Sequence, residues 1–337
     1  MKKGNELRAF RFFFLFLLLS VFICVHPWFP LSQVFAQEVA VNLAEGRVVI
    51  CAAKDGIILA AMDARGEADS RLPVVAAVGP LHAGVILGAV EWVQVESKDE
   101  PARLDVEFSR IAEGALKNSA SAKSSEGASE IEAIGVAVLE RVRVLAGLLH
   151  NKINLGEDEP LIRVVLAGYV PDYGPEAWTL DYHVRQDALP NGYWRTRILR
   201  PSYNQIYPPE KGQPRTFIEV RYPPANRATD EPELLDLLRQ NDSRLSKIRE
   251  ANPGASKSLA FVTEGQSQKS DAASDINFLK AALQAVAPPE TKLTMANVDF
   301  DKGFQWVVQP PKSASPPPAD AKPQEPGAPT LRKKSER

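Results

Sequence analysis

No threonine precedes Thr179, and only two cysteines, Cys24 and Cys51, occur in the 337 residues. The shortage of cysteine excludes a disulfide-stapled scaffold. Cys24 lies in an apolar N-terminal run that reads as a removable leader, so the mature chain keeps Cys51 alone and forms no intramolecular disulfide. Stability must then come from a packed core. Histidine is scarce as well, at four. Beyond the leader stand His82, His150 and His183, without metal-ligand spacing. His82 follows Gly79-Pro80 in an apolar stretch. His150 is expected to end a helix, where an imidazolium suits the last carbonyls. His183 is expected to alternate with Asp181 and Arg185 on a water-facing strand.

Neither sign of charge dominates. Forty Lys and Arg against 42 Asp and Glu leave a net charge of −2, which excludes the basic stripe of a nucleic-acid binder. Also missing are Gly-x-Gly-x-x-Gly, a phosphate loop ending in Gly-Lys-Ser/Thr, His-Glu-x-x-His, paired cysteines and the Gly-x-Ser-x-Gly elbow. No cofactor and no metal is therefore expected. Asp299 and Asp301 in "VDFDKG" lack a third oxygen ligand nearby and read as a hairpin turn, not a cation site.

What is present begins with an export signal. Lys2, Lys3, Arg8 and Arg11 precede an apolar run over residues 12–25 broken only by Ser20, and "SQVFAQ" offers Val34 and Ala36 as the small residues of a cleavage site. Residues 1–36 are thus expected to be removed, leaving a mature start near Gln37 and a net charge of −5. The protein is expected in the periplasm or outside the cell. It would be held at a membrane only if residues 12–29 stay uncleaved, and the run is short for a spanning helix, which needs roughly 20 residues. A lipid anchor at Cys24 is disfavoured by the bulky Ile23 before it. At the other end, residues 310–337 are Pro-rich and close on a small basic cluster, as a disordered spacer does. The Ser/Ala/Gly-rich stretch 117–129 and the polar stretch 265–274 read as flexible breaks. One domain is expected over residues 37–309.

Within it, strands and helices come in groups. Two apolar runs, 46–53 and 56–63, flank Lys54-Asp55-Gly56, a strong hairpin signal. The stretch 72–94, with Gly79, Gly84 and Gly88, is expected to hold further strand. Helices are expected over 104–117 and 130–150. In the second, Ile131, Ile134, Val138, Val142, Leu145 and Leu149 share one face, with Glu130, Glu140, Arg141 and Arg143 away from it. Strands follow in 161–169, from Ala177, in "GYWRTRILRP" and over 216–222. A helix over 231–250, capped by Thr229 or Asp230 with Pro232 in its first turn, and "SLAFVTE" come next. A helix over 275–287 and a closing hairpin across Asp301-Lys302-Gly303 complete the order. Grouped strands and grouped helices point to an α+β fold with helices packed outside sheets.

The stretch "RVVICAAKDGIILAAMDARGE" resembles the first hairpin of proteasome-type subunits in the N-terminal nucleophile (Ntn) hydrolase superfamily. There, a strand opening on the nucleophile is followed by a Lys/Asp-Gly turn and a strand of the type Gly-Val-Val-Leu-Ala-Ala-Asp-x-Arg. Residues 56–65 match it with one extra residue, Met62, before Asp63. "LHAGVILGAVEW", "VVLAGYVPDYGPEAWTLDYHVRQ" and "VDFDKGFQWVV" are similar to later strands and the closing hairpin, so the resemblance spans residues 39–309. It implies a four-layer αββα sandwich. It also implies an N-terminal Thr, Ser or Cys whose own amine serves as base, helped by an Asp and a Lys.

The chain departs from that pattern. Matching through Gly56 puts Gly46 or Arg47 at the nucleophile's position, and no lysine lies between Asp55 and Lys98; Arg71 is the basic residue nearest the missing one. The candidate site residues are Asp63 and Arg65, carried by the resemblance, and Cys51, the one thiol, read as buried structural cysteine unless the chain is processed inside its strand. Because one residue flips a strand's face, Asp63 keeps the family's place only across a bulge. Without a bulge, Met62 takes it. Two functions are weighed: a non-catalytic scaffold, binding or assembly protein with an unknown protein partner or self-association, and a peptidase or amidohydrolase using Cys51 or a serine such as Ser70. A third reading treats the likeness as chance in an α+β envelope protein.

Overall fold

A computed structural model of the protein describes residues 39–63, 72–94, 101–121, 130–156, 158–209, 217–224, 236, 243–251, 272–286 and 291–310. The leader, the C-terminal tail, Arg65, Ser70, Arg71 and "SLAFVTE" lie outside them. In chain order the first strands are β1 (Val39–Ala44), β2 (Gly46–Ala52), β3 (Gly56–Asp63), β4 (Val75–Ala77), β5 (His82–Gln94) and β6 (Ala102–Arg103). Helices α1 (Leu104–Ser121) and α2 (Glu130–Ala146) follow. Then come β7 (Ile162–Val170), β8 (Gly174–Tyr182), β9 (Val184–Ala188), β10 (Trp194–Ile198), β11 (Ser202–Tyr207) and β12 (Phe217–Tyr222). Helices α3 (Ser243–Ala251) and α4 (Ala272–Val286) and strands β13 (Leu293–Asp299) and β14 (Gly303–Val308) close the described chain.

The α+β class holds: two antiparallel sheets and a few helices. The first sheet runs β1-β5-β7-β8-β11, with β4 and β6 also on β5, and the second runs β12-β2-β3-β13-β14. Strands β9 and β10 form a separate ribbon. Period-two alternation decides which way each side chain faces. Val48, Ile50, Ile57, Leu59 and Ala61 of the second sheet share a core with Val85, Leu87 and Val165 of the first, so the sheets pack face to face. The opposite parity of the first sheet, with Ile86, Val164 and Leu166, packs on Phe108 of α1 and on Ile134 and Val138 of α2. The outer parity of the second sheet, with Val49, Cys51, Ile58 and Met62, packs on Leu245 of α3 and on Phe278 and Leu279 of α4. Each such fully buried aliphatic side chain contributes about 1.5–3 kcal/mol.

Several boundaries differ from those expected. Helix α1 runs four residues past Lys117, whose ammonium pairs with Glu113 one turn earlier at 2.6 Å on the exposed side. Helix α4 starts at Ala272, inside the polar break, where Asp55 accepts the Ala272 N–H at 2.8 Å. Helix α2 ends at Ala146, not His150. Gly147, a poor helix former, turns the chain out, and Leu148 and Leu149 make tighter bonds to Leu145 and Ala146 at 3.1 Å. His150 instead lies beside Tyr193, with ring centroids 5.7 Å apart. His183 falls in a break between β8 and β9, and Asp181 faces Arg163, not open water. Arg141, off the apolar face as expected, clamps Glu107 of α1 through two 2.8 Å bonds.

Candidate functional site

The hairpin carrying the resemblance forms as expected, β2 and β3 pairing without interruption from Ala52–Ile57 to Gly46–Asp63. The pairing of β3 with β13 is equally unbroken. There is no bulge, so parity alone sets the faces. Met62 faces helices α3 and α4. Asp63, in step with Ile57, Leu59 and Ala61, faces the space between the sheets. Its carboxylate is buried at the strand end and accepts the Lys292 N–H at 2.9 Å.

Gly46 stands directly across from Asp63. A β-carbon on Gly46 would collide with the Met62 carbonyl oxygen and lie 2.6 Å from Pro73 Cγ. The strand before it is short of freedom too. Only Glu45 separates β2 from β1, which pairs with β5 in the other sheet through six residues, Val39 to Ala44. The nitrogen of residue 46 is therefore a peptide nitrogen inside a sheet-to-sheet crossing.

Cys51 sits elsewhere. It pairs with Ile58, five residues along β3 from Asp63, and it faces the helices while Asp63 faces the other sheet. At about 3.3 Å per residue, the two lie roughly 17 Å apart along the strand. The thiol is 2% exposed and approaches Asp275 Oδ2 of α4 at 4.0 Å. The structure thus brings Asp63 together with Gly46 and separates both from Cys51.

A second polar cluster was not foreseen. His82 of β5, Gly168 of β7 and Glu176 of β8 form one row across the first sheet. Gly168 has no side chain to fill the gap; a β-carbon there would overlap His82 Cδ2. The imidazole and carboxylate meet over it, Nε2 to Oε1, at 2.9 Å. Trp178 Nε1 donates to the other oxygen at 2.8 Å. Burial alone would raise the Glu176 carboxyl, but the bonds from His82 and Trp178 and the His82 charge outweigh it and hold it below the usual range. In sequence the only trace is Glu-x-Trp and a lone glycine in a strand. The row exists only once β5, β7 and β8 are paired.

Asp299 makes the expected hairpin turn. Its Oδ1 accepts the Asp301 and Lys302 N–H groups, both at 2.9 Å, ahead of Gly303 at φ +77°. Among the described residues no group of three or more His, Cys, Asp or Glu is arranged to hold a metal ion. Nor is any described helix long and apolar enough to cross a membrane. No protein-family model matches the chain, and none of the curated proteins is detectably similar to it.

Proposed function

We propose that the chain is an exported protein with an αββα sandwich of the proteasome-like Ntn-hydrolase type, and that it acts without catalysis as a scaffold, binding or assembly component. The layering supports the fold type: helices pack on the outer face of each sheet, and the sheets pack on each other. One observation carries the loss of catalysis. Gly46, the residue matched to the nucleophile, is walled by the Met62 carbonyl and Pro73, and its nitrogen continues into β1. An N-terminal nucleophile needs a free amine and a side chain there; cutting before Gly46 would strip the first sheet of an edge strand. Asp63, in this reading, keeps a structural duty as acceptor for the Lys292 N–H just ahead of β13.

Mass spectrometry of the mature N-terminus, with acyl and vinyl-sulfone probes for reactive hydroxyls and thiols, tests the proposal. A chain starting near Gln37 and unlabelled by either probe is the expected result. A start at Cys51, or stoichiometric labelling of Cys51 or Ser70, overturns it.

A further inference from the structure

We propose that the β9–β10 ribbon is a docking face for the headgroup surface of a bilayer rich in anionic phospholipid. The inference goes beyond the proposed function and stands without it. Strands β9 and β10 pair in unbroken register from Val184–Ile198 to Ala188–Trp194. Side chains alternate along each strand, so Arg185, Asp187, Arg195 and Arg197 share one face, and Val184, Gln186, Trp194, Thr196 and Ile198 share the other.

The second face is built into the fold. Ile198 is buried, and Val184 packs on the core shared by the first sheet and its helices. Gln186 accepts the Ile153 N–H at 2.9 Å and donates to Thr196 Oγ1 at 2.8 Å. Trp194 N–H bonds to the His150 carbonyl at 2.7 Å. The ribbon is therefore held in place by one face, and the arginine face is the one left to solvent. Arg185 is 69% exposed there and Arg197 53%.

The charges on that face do little for the fold. Arg185 and Arg197 stand directly opposite each other, and like charges so placed repel. Both turn to Asp187, the one acid between them, Arg197 closely and Arg185 at 3.6 Å. Arg195, across from Asp187, pairs with no acid among the described residues. Three arginines against one aspartate leave this face at +2, on a chain whose net charge is −2.

Apolar groups flank the cations. Tyr193 and Leu199 are in step with Arg195 and Arg197, one at each end of β10, and are 40% and 46% exposed. Leu199 N–H still bonds to the His183 carbonyl at 2.9 Å, which carries the pairing past Ile198. From Tyr193 to Leu199 the strand spans about 20 Å at roughly 3.3 Å per residue. Lipid phosphates would take the guanidiniums, and the headgroup layer would take the tyrosine and the leucine. A soluble phosphate would satisfy the arginines alone and leave Tyr193 and Leu199 in water.

Co-sedimentation with vesicles tests the face, using phosphatidylcholine alone or mixed with an equal amount of phosphatidylglycerol. The protein as exported is expected to bind the mixed vesicles more tightly, and to lose that preference in about 1 M NaCl, where screening acts within about 3 Å. Arg185→Gln and Arg195→Gln should each weaken binding about fivefold. Asp187→Asn removes the one acid and should tighten it, a gain that a damaged fold does not give. Arg110→Gln, on the exposed side of α1, should change nothing. Equal affinity for the two kinds of vesicle, or no response to the three ribbon substitutions, would overturn the proposal. So would displacement by an equal charge of soluble polyglutamate, which would make the partner an acidic protein.

Discussion

Gly46 and Asp63 stand directly across from each other on β2 and β3 at the end of an unbroken hairpin, Asp63 in step with the residues that face the other sheet. With no bulge in β3, Met62 and not Asp63 falls at the place counted from Gly56, and no side chain fits at Gly46. Gly46→Thr is expected to destabilise the protein by about 1–3 kcal/mol, as overpacking against backbone does, and to create no hydrolytic activity. Urea denaturation and a panel of amide and ester substrates check both halves. A fully stable variant would show that the Met62 carbonyl yields easily.

Asp63→Ala removes the acceptor for the Lys292 N–H from a site 2% exposed. The expected loss is about 1–3 kcal/mol. Asp63→Asn keeps an amide oxygen there and should lose less. Denaturation midpoints of the two variants test the order. Equal losses would point to the charge, not the acceptor, as what matters.

Cys51 should react with a thiol reagent only on unfolding, since it lies 2% exposed beneath α4. Titration with an aromatic disulfide at rising urea concentration is the check. Rapid labelling of the native protein would mean that the helices lift away from the second sheet.

Gly135 in α2 lets two tyrosines approach. Tyr182 O–H donates to its carbonyl at 3.0 Å, and a β-carbon there would overlap the Tyr203 hydroxyl. Gly135→Ala should therefore destabilise despite alanine's better helix propensity. Adding Tyr203→Ser should recover part of the loss, a coupling of about 0.5–3 kcal/mol. A double-mutant cycle by thermal unfolding measures it, and additive effects would rule out the clash.

Two arginine–aspartate pairs should behave differently. Arg163 holds Asp181 through 2.6 and 2.7 Å bonds at 18–19% exposure, and it also donates to the Arg221 carbonyl of the other sheet at 3.1 Å. Arg197 holds Asp187 on the exposed ribbon. Arg197→Met is expected to change stability by less than about 1 kcal/mol. Arg163→Met should lose more, because it leaves a largely buried carboxylate alone. Comparable losses would contradict the assignment of Arg163 as a link between sheets.

Alternation and turn chemistry made the central hairpins legible. Lys54-Asp55-Gly56 and Asp301-Lys302-Gly303 turn where expected, because a short polar turn with glycine between apolar runs has few other solutions. The face of α2 was equally plain: five of the spaced aliphatic residues are buried on it, and Leu149, also buried, follows just past its end. Less visible was β1, whose "VAVNLA" alternates but sits close to the leader. Strand β11, "SYNQIY", is polar and depends on β8 for its register. His82 and Glu176 are 94 residues apart, and only the order β5-β7-β8 brings them together. Local pattern specifies elements; long-range pairing specifies such a site.

The single residue Glu45 between β1 and β2 has a mechanical consequence. It ties the sheets covalently at the Gly46–Asp63 end, while the loop before His82, with Leu81 bonded to Tyr169 of β7 and Pro80 to Phe304 of β14, joins them at the other end of the strands. Were the far end to open, the layers would stay joined through Glu45. Reclosure is then a unimolecular event, set by a short tether and independent of how dilute the protein is.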